Sequence, residues 1–329
     1  MTIDCSSSVS VIIAAYNSAA TIERAVRSAL AEPETADVIV VDDGSTDDTL
    51  AQAGSADDGS GRLRLIPLSS NGGPSSARNR ALRESRGGWI SILDADDFFL
   101  PGRLKGLLRF ATTTADIIAD DIWRVDERAI NGTRSLLLGD DLRSARLVSF
   151  KEFVVSNITD RRRHRGELGF IKPIMRRTFV ETHGLHYQDH MRLGEDYELY
   201  ARALALGAKL LLVPAQGYVS VVRADSLSGC HSEDDLLQLR DCNRALSALP
   251  RLTAEDKRAL RQHALSVDCR LQWRLLILAV KQRSMRKAFV TFLRPLPVPV
   301  YLLGQLLEQL ILRVGRRLRG KAPLRRSVH

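Results

Sequence analysis

Apolar residues in the first third of the chain come in short runs, each followed by a polar break and then by residues at helical spacing. Val9–Ala15 is the first run, and Tyr16-Asn17 ends it. Ile22, Ala25, Val26, Ala29 and Leu30 then recur at intervals that predict a helix, with Thr21 as its cap. Val38–Val41 and Leu63–Pro67 read as further strands, with a short helix over Asp47–Ala53 between them. Asn71-Gly72-Gly73-Pro74 is a turn whose proline stands near the start of the next helix, Ser75–Ser85. Trp89–Leu93 is another apolar run, introduced by Gly87-Gly88. Pro101 opens a further helix, and Ile117-Ile118-Ala119 predicts a fifth strand. Strands alternating with helices imply βαβ units and a mostly parallel sheet. Continuous apolar strands fit a sheet covered on both faces.

The pattern then changes. Residues 120–165 give no clear period, and Gly166 to Gly184 is mixed. Gly194 ends a loop, and Glu195-Asp196 opens a helix. Leu210–Val213 and Tyr218–Val222 read as two more strands. From Asp234 helix formers dominate, with helices near Asp234–Leu249, Ala254–Met285 (with room for a break) and Tyr301–Arg317. In the last of these Leu303, Leu306, Leu307, Leu310, Ile311 and Val314 form one apolar stripe, and Arg313–Arg326 is rich in Arg and Lys. The expected organisation is an α/β domain over residues 1–232 with halves near 1–120 and 121–232, then a helical extension over 233–329. No apolar span of about 20 residues is present, so a transmembrane helix is not expected. A basic amphipathic helix fits a peripheral contact with a membrane surface. Packing of the stripe on the rest of the chain or on a partner subunit is the alternative.

Composition narrows the classes. The 329 residues are 44% hydrophobic and 26% charged, as in an ordinary globular protein. The net charge of +9, with a pI near 9.7, suits nucleic acid, an anionic membrane or a phosphorylated substrate. The positive residues gather in the C-terminal tail and in Arg161–Arg165 with few interleaved aromatics, so the stacking platform of a single-strand nucleic-acid binder is missing and no nucleic-acid partner is expected. Arg161–Arg165 itself reads either as a solvated loop or as an anion or membrane contact. Cys5, Cys230, Cys242 and Cys269 make no Cys-x-x-Cys pair, which fits a reduced, cytoplasmic setting. No basic segment followed by an apolar core opens the chain, so no secretory signal is expected and the Asn131 and Asn157 sequons carry no meaning. Neither Gly-x-Gly-x-x-Gly after the first strand nor a Walker A loop occurs.

Polar residues with candidate chemistry fall at strand ends. Trp89–Phe99 begins apolar and ends in Asp94, Asp96 and Asp97, where an open α/β sheet places its ligands. Asp94 and Asp96 are two apart, so in an extended chain they point the same way. Two hard oxygen ligands suit Mn2+ or Mg2+ held between protein and a substrate's phosphates. A solvated acidic loop is the plainer reading of the same residues. Carboxylates at Glu195-Asp196 are also what a helix dipole favours in a first turn.

Taken in order, Tyr16-Asn17, Asp42-Asp43-Gly44-Ser45-Thr46-Asp47, Gly72-Gly73-Pro74 through Arg78-Asn79, Asp94-Ala95-Asp96-Asp97 and Glu195-Asp196 resemble the inverting family 2 glycosyltransferases with the GT-A fold. The resemblance covers residues 8–231. From Gly194 to Ser226-Leu227-Ser228-Gly229-Cys230-His231 the chain is most similar to bacterial exopolysaccharide glucosyltransferases of the succinoglycan type. One departure is Ala14 or Ala15 where the family usually has proline.

The resemblance implies roles. Ala15, Tyr16, Asn17, Asp42 and Asp43 would line the nucleotide site, with Tyr16 stacking on the base and Asp43 accepting its imide N–H. Arg78 would oppose the diphosphate, a salt bridge to Asp42 or Asp94 being its structural alternative. Asp96 would be the more direct metal ligand, Asp94 would touch ribose or metal-bound water, and His231 would add a ligand. Asp196 would be the base, with Glu195 auxiliary or in its place. The expected reaction moves a hexose, glucose from UDP-glucose, with inversion onto a lipid-linked oligosaccharide at the cytoplasmic face of the bacterial plasma membrane. A sugar nucleotidyltransferase and a non-catalytic membrane scaffold of the same fold are the alternatives. The first would need a glycine-rich basic signature that Val9–Asn17 lacks, and the second need not keep Asp43, Asp96 and Asp196 together.

Overall fold

Strand β1 (Val9–Ala15) is followed by α1 (Ile22–Leu30), β2 (Thr35–Asp42), α2 (Thr49–Ser55), β3 (Leu63–Pro67), α3 (Pro74–Glu84) and β4 (Trp89–Ile92). This is the alternation expected of the sequence. The computed structural model describes residues 7–111, 114–139, 142–158, 166–223 and 232–319. Two local expectations need correction. Thr21 precedes α1, but its hydroxyl donates to the Ser18 carbonyl and makes no side-chain cap. The helix expected from Asp47 starts at Thr49, because the Asp47 carboxylate instead accepts from the backbone N–H groups of Ala19 and Thr49, both at 3.1 Å.

The middle of the chain holds β5 (Phe98–Phe99), α4 (Arg103–Leu108), β6 (Ile117–Asp120), β7 (Trp123–Asp126), β8 (Ser135–Leu136), β9 (Arg146–Val148) and α5 (Phe150–Ser156). Then come β10 (Ile174–Arg176), α6 (Arg177–Thr182), α7 (Glu195–Ala205), β11 (Leu210–Val213) and β12 (Tyr218–Val222). One sheet runs in the order β3-β2-β1-β4-β10-β6-β11-β9. Its first half is parallel, but β10 lies antiparallel between β4 and β6, and β9 pairs antiparallel with β11. A second, smaller sheet runs β5-β12-β7-β8. The sheet is therefore mixed in the half where the sequence showed no clear period.

Alternation along β1 explains the two-faced core. Val9, Val11 and Ile13 face α1 residues Ile22, Ala25 and Val26, whereas Ile12 belongs to the opposite face with Ile39, Ile90 and α3 residues Ala77 and Ala81. That second core continues through α7 into α8 (Glu233–Ser247) and α9 (Ala254–Lys281), where Leu236, Leu239, Leu260 and Val267 are buried. Both helices begin with capping boxes, Ser232 with Asp235 and Thr253 with Asp256. The helix expected to reach Met285 ends at Lys281; Arg283 turns the chain at φ 55°, and α10 (Met285–Val290) and α11 (Pro297–Arg319) follow. Val298 and Leu302 seat α11 against Cys269 and Leu276 of α9. The stripe from Leu303 to Ile311 is left exposed.

Candidate active site

The parallel half of the sheet brings its carboxyl ends to one edge. Ala15 at the end of β1 is in register with Asp42 at the end of β2 and is itself buried. Tyr16 follows with half its surface exposed, as a ring available for stacking must be. Asn17 has φ 48°, and its side-chain carbonyl accepts from Thr46 N–H at 2.9 Å. Its own N–H donates to the Ser45 hydroxyl at 2.9 Å. These bonds tie the loop after β1 to the loop after β2. Asp42 accepts from both the backbone and the hydroxyl of Ser45. Asp43 is buried and takes the N–H groups of Gly72 and Gly73, one on each carboxylate oxygen at 2.8 Å. Gly44, at φ 73°, lies against the Ser70 backbone, where a Cβ would come within 2.9 Å.

Helix α3 then joins this edge to the segment that leads into α7. Ser75 donates to the Met191 carbonyl at 2.7 Å, and Asn79 exchanges hydrogen bonds with both the N–H and the C=O of Tyr187 at 2.8 Å. The segment leading into α7 is thereby clamped, and Glu195 and Asp196 open that helix beside Arg78. Arg78 binds Glu195 at 2.7 Å and Asp94 at 2.9 Å, lies 3.8 Å from Asp196, and sits over the Tyr187 ring at 5.3 Å. Of the two salt-bridge partners expected for Arg78, Asp94 is paired with it here; an Asp42 pair is not found among the described contacts.

Two residues that sequence reasoning missed complete the cluster. Lys172 lies between Asp94, 2.7 Å away, and Asp196, 2.8 Å away. The Tyr187 hydroxyl donates to the other Asp196 oxygen at 3.0 Å. A single lysine inside the apolar run Phe170–Met175 was the available signal for the first, since a buried lysine has to be paired. Tyr187, between His186 and Gln188, offered none.

The charges respond to this packing. Burial pushes the Asp94 carboxyl up, but Lys172 and Arg78 outweigh it and hold Asp94 down at about 2. Burial would lower the Lys172 ammonium, yet Asp196 and Asp94 raise it, so it stays charged. Glu195 is raised by burial, with Arg78 opposing. Asp97 is raised well above the carboxylate range by burial and by Asp94 and Asp96; it accepts from the Tyr218 hydroxyl and Val221 N–H, both at 2.8 Å, and so ties the loop to β12.

The expectation that Asp94 and Asp96 point the same way does not hold. Asp97 N–H bonds the Asp94 carbonyl at 3.1 Å, which makes a turn rather than an extended chain. Asp94 faces Arg78 and Lys172, whereas Asp96 is more open, with Arg223 at 3.8 Å. Burial, then the Asp94 charge, raises the Asp96 carboxyl. Among the described residues no cluster of three or more His, Cys, Asp and Glu side chains is disposed to hold a metal. One half-open carboxylate fits a Mn2+ or Mg2+ ion that takes its remaining ligands from substrate phosphates and water. His231, the expected further ligand, lies outside the described residues, as do Arg161–Arg165.

Residues 10–179 match the family model for glycosyl transferase family 2. The chain belongs to that family. It is 44% identical over 310 residues to the succinoglycan biosynthesis protein ExoU of Rhizobium meliloti, across 94% of this chain and 90% of that one. Among solved structures, residues 1–349 of S. aureus TarS in complex with UDP superpose with a TM-score of 0.61 at 18% identity, covering 86% of this chain and 90% of that one. The mannosyltransferase PcManGT of Pyrobaculum calidifontis, in complex with GDP-Man and Mn2+, gives 0.55 at 18% identity over 92% and 86%. The GT-A fold expected of the sequence is thus the fold found, and the family 2 chain is a glycosyltransferase.

Proposed function

We propose that this glycosyltransferase is metal-dependent and inverting, and that it moves glucose from UDP-glucose to a lipid-linked oligosaccharide during bacterial exopolysaccharide synthesis. One observation carries the reading. Lys172 touches both Asp94, at the strand edge where a nucleotide sugar would lie, and Asp196, at the head of α7. A reacting centre at this junction has a carboxylate for the acceptor and cations for a departing diphosphate.

In the proposed step the acceptor oxygen attacks the anomeric carbon as its proton passes to Asp196, and the bond to the diphosphate breaks with its electrons leaving on the nucleotide. One displacement inverts the anomeric centre. Tyr16 and Asp43 would hold the base; Tyr187, Glu195 and Arg78 keep the Asp196 side of the site in shape. Asp96, with Asp94 nearby, would hold a divalent ion; when bound it neutralises negative charge on the leaving diphosphate. The name of the R. meliloti relative supports the exopolysaccharide setting, and the TarS and PcManGT complexes support a nucleotide sugar and, for PcManGT, manganese. The basic, apolar C-terminal helices favour peripheral contact with the cytoplasmic membrane face, where a lipid-linked acceptor concentrates.

The test is a screen of purified protein against UDP-, GDP- and dTDP-sugars, with and without Mn2+ or Mg2+, reading nucleotide release with a lipid-linked acceptor present. Release from UDP-glucose that needs metal is expected. Asp196→Asn should abolish transfer while nucleotide binding survives. Release that ignores metal, or an active Asp196→Asn, would overturn the corresponding part.

A further inference from the structure

Both Asp196 oxygens are engaged in the arrangement seen, one of them by a cation. One of its oxygens accepts from the Tyr187 hydroxyl at 3.0 Å and the other from the Lys172 ammonium at 2.8 Å. The same ammonium reaches Asp94 at 2.7 Å. An ammonium has three N–H donors, and these two carboxylates take two of them.

The two cations of the cluster differ in their freedom. Both terminal nitrogens of Arg78 are taken, by Glu195 and Asp94, and its flat head lies over Tyr187. Lys172 has a fixed main chain but a flexible four-carbon stem. Its carbonyl accepts from Arg103, which is anchored in turn by Asp120 at 2.8 Å; both side chains of that pair are fully buried. Pro173 follows. These contacts hold the main chain in place and leave the long side chain as the part with freedom to turn. Asp94 is the more open end of its span, 29% exposed against 10% for Asp196. An incoming anion at the strand edge meets the ammonium from that side.

We propose that Lys172 binds the diphosphate of the donor and, in doing so, lets go of Asp196, so that the base is uncovered only when the donor is in place. This rests on the nucleotide-sugar reading above. A diphosphate carries more negative charge than a single carboxylate and presents more acceptor oxygens, so it competes well for the ammonium. With Lys172 withdrawn, that Asp196 oxygen is rid of its cation and presents both lone pairs to the acceptor hydroxyl. The site then couples its donor half to its acceptor half through one side chain.

The test compares wild type, Lys172→Met and Lys172→Arg for binding of UDP, GDP and dTDP, each beside its own nucleoside, with Mn2+ present. For the nucleoside diphosphate that wild type binds, Lys172→Met should weaken affinity about tenfold and leave the nucleoside unchanged, because only the diphosphate loses a charged partner. Lys172→Arg should restore most of the diphosphate affinity. Transfer by Lys172→Met should fall in kcat as well as rise in KM. Equal weakening of diphosphate and nucleoside would make Lys172 structural and overturn the proposal, as would unchanged diphosphate affinity. If Lys172→Met fails to fold, Lys172→Met/Asp196→Asn removes one buried charge of each sign and is compared with Asp196→Asn; the same diphosphate-selective loss is expected, and its absence overturns the proposal. A wild type that binds none of the three diphosphates overturns the nucleotide-sugar reading and the role of Lys172 with it.

Discussion

Tyr187 shows how a single residue can serve the site without belonging to any motif. Its hydroxyl orients Asp196, its ring lies under Arg78, and its backbone is held at both polar groups by Asn79. Burial raises the phenol well above its ordinary range, with the Asp196 charge adding to it, so the group stays a donor. Tyr187→Phe keeps the ring and removes one hydrogen bond to a charged acceptor. A loss of about 1.5 kcal/mol corresponds to roughly a tenfold fall in kcat, with nucleotide affinity unchanged. Steady-state kinetics beside nucleotide titration checks this; an unchanged kcat would leave Tyr187 a packing residue. The carboxylates at Asp43, Asp94, Asp96 and Asp196 were legible in the sequence because each sits at the end of an apolar strand or the start of a helix, in a fixed order. Lys172 showed only as a lone lysine in an apolar run and Tyr187 not at all, because contacts between connecting segments and a helix start leave no spacing in the chain. Their partners lie 24 and 9 residues away at Asp196, and for Lys172 on another strand end at Asp94 as well.

Helices α7, α8 and α9 meet through one polar cluster inside an apolar core. Tyr197 of α7 donates to the side-chain carbonyl of Asn243 of α8 at 2.9 Å, and His263 of α9 bonds the same oxygen at 2.9 Å. The His263 and Tyr197 rings lie 4.5 Å apart. Burial, then the Arg270 charge, lowers the imidazole from 6.5 to about 3. Folded His263 is therefore neutral through the range in which the unfolded chain takes up its proton. Its contribution to stability is complete above pH 6.5 and is lost as pH falls towards 3, at about 1.4 kcal/mol per pH unit. Between pH 7 and pH 5 this amounts to about 2 kcal/mol. His263→Gln should lose that part of the pH dependence, so urea midpoints measured across the range should fall more steeply for wild type. Parallel slopes would mean that water reaches the imidazole. The long helices themselves were readable from sequence because helix formers dominate from Asp234 onward. Strand β10 was not: three residues, placed antiparallel inside a run of parallel strands, are too short to show a period and depend on their neighbours for existence.

At the scale of the whole molecule the open question is an apolar surface that the described residues leave uncovered. Helix α11 has turned its seated face, Val298 and Leu302, towards α9, and presents Leu303, Leu307, Leu310 and Ile311 outward, each more than half exposed. Met285, Phe289, Leu293 and Leu296 extend the same exposure through α10 and the connection that follows it. The sequence gives this region Arg286, Lys287, Arg294 and an Arg- and Lys-rich tail against a single acid, Glu308. No helix among the described residues is long and apolar enough to cross a membrane. The stripe itself was readable from its period; which face of α11 would be covered was not, because Val298 precedes the helix start expected at Tyr301 and Leu302 does not belong to the stripe. An apolar stripe in a cation-rich stretch of sequence suits an anionic lipid surface, where burial of each leucine adds about 1 kcal/mol and the charges add a salt-sensitive part. The triple variant Leu303→Ser/Leu307→Ser/Leu310→Ser trims side chains that are more than half exposed, so its Tm should stay close to wild type. Its binding to phosphatidylglycerol vesicles in a sedimentation assay should fall by about two orders of magnitude, since about 3 kcal/mol is withdrawn. Raised salt should weaken wild-type binding as well. A fallen Tm would mean that the stripe supports the fold instead, and equal sedimentation of the two proteins would rule out the lipid contact, leaving a partner protein to cover these helices.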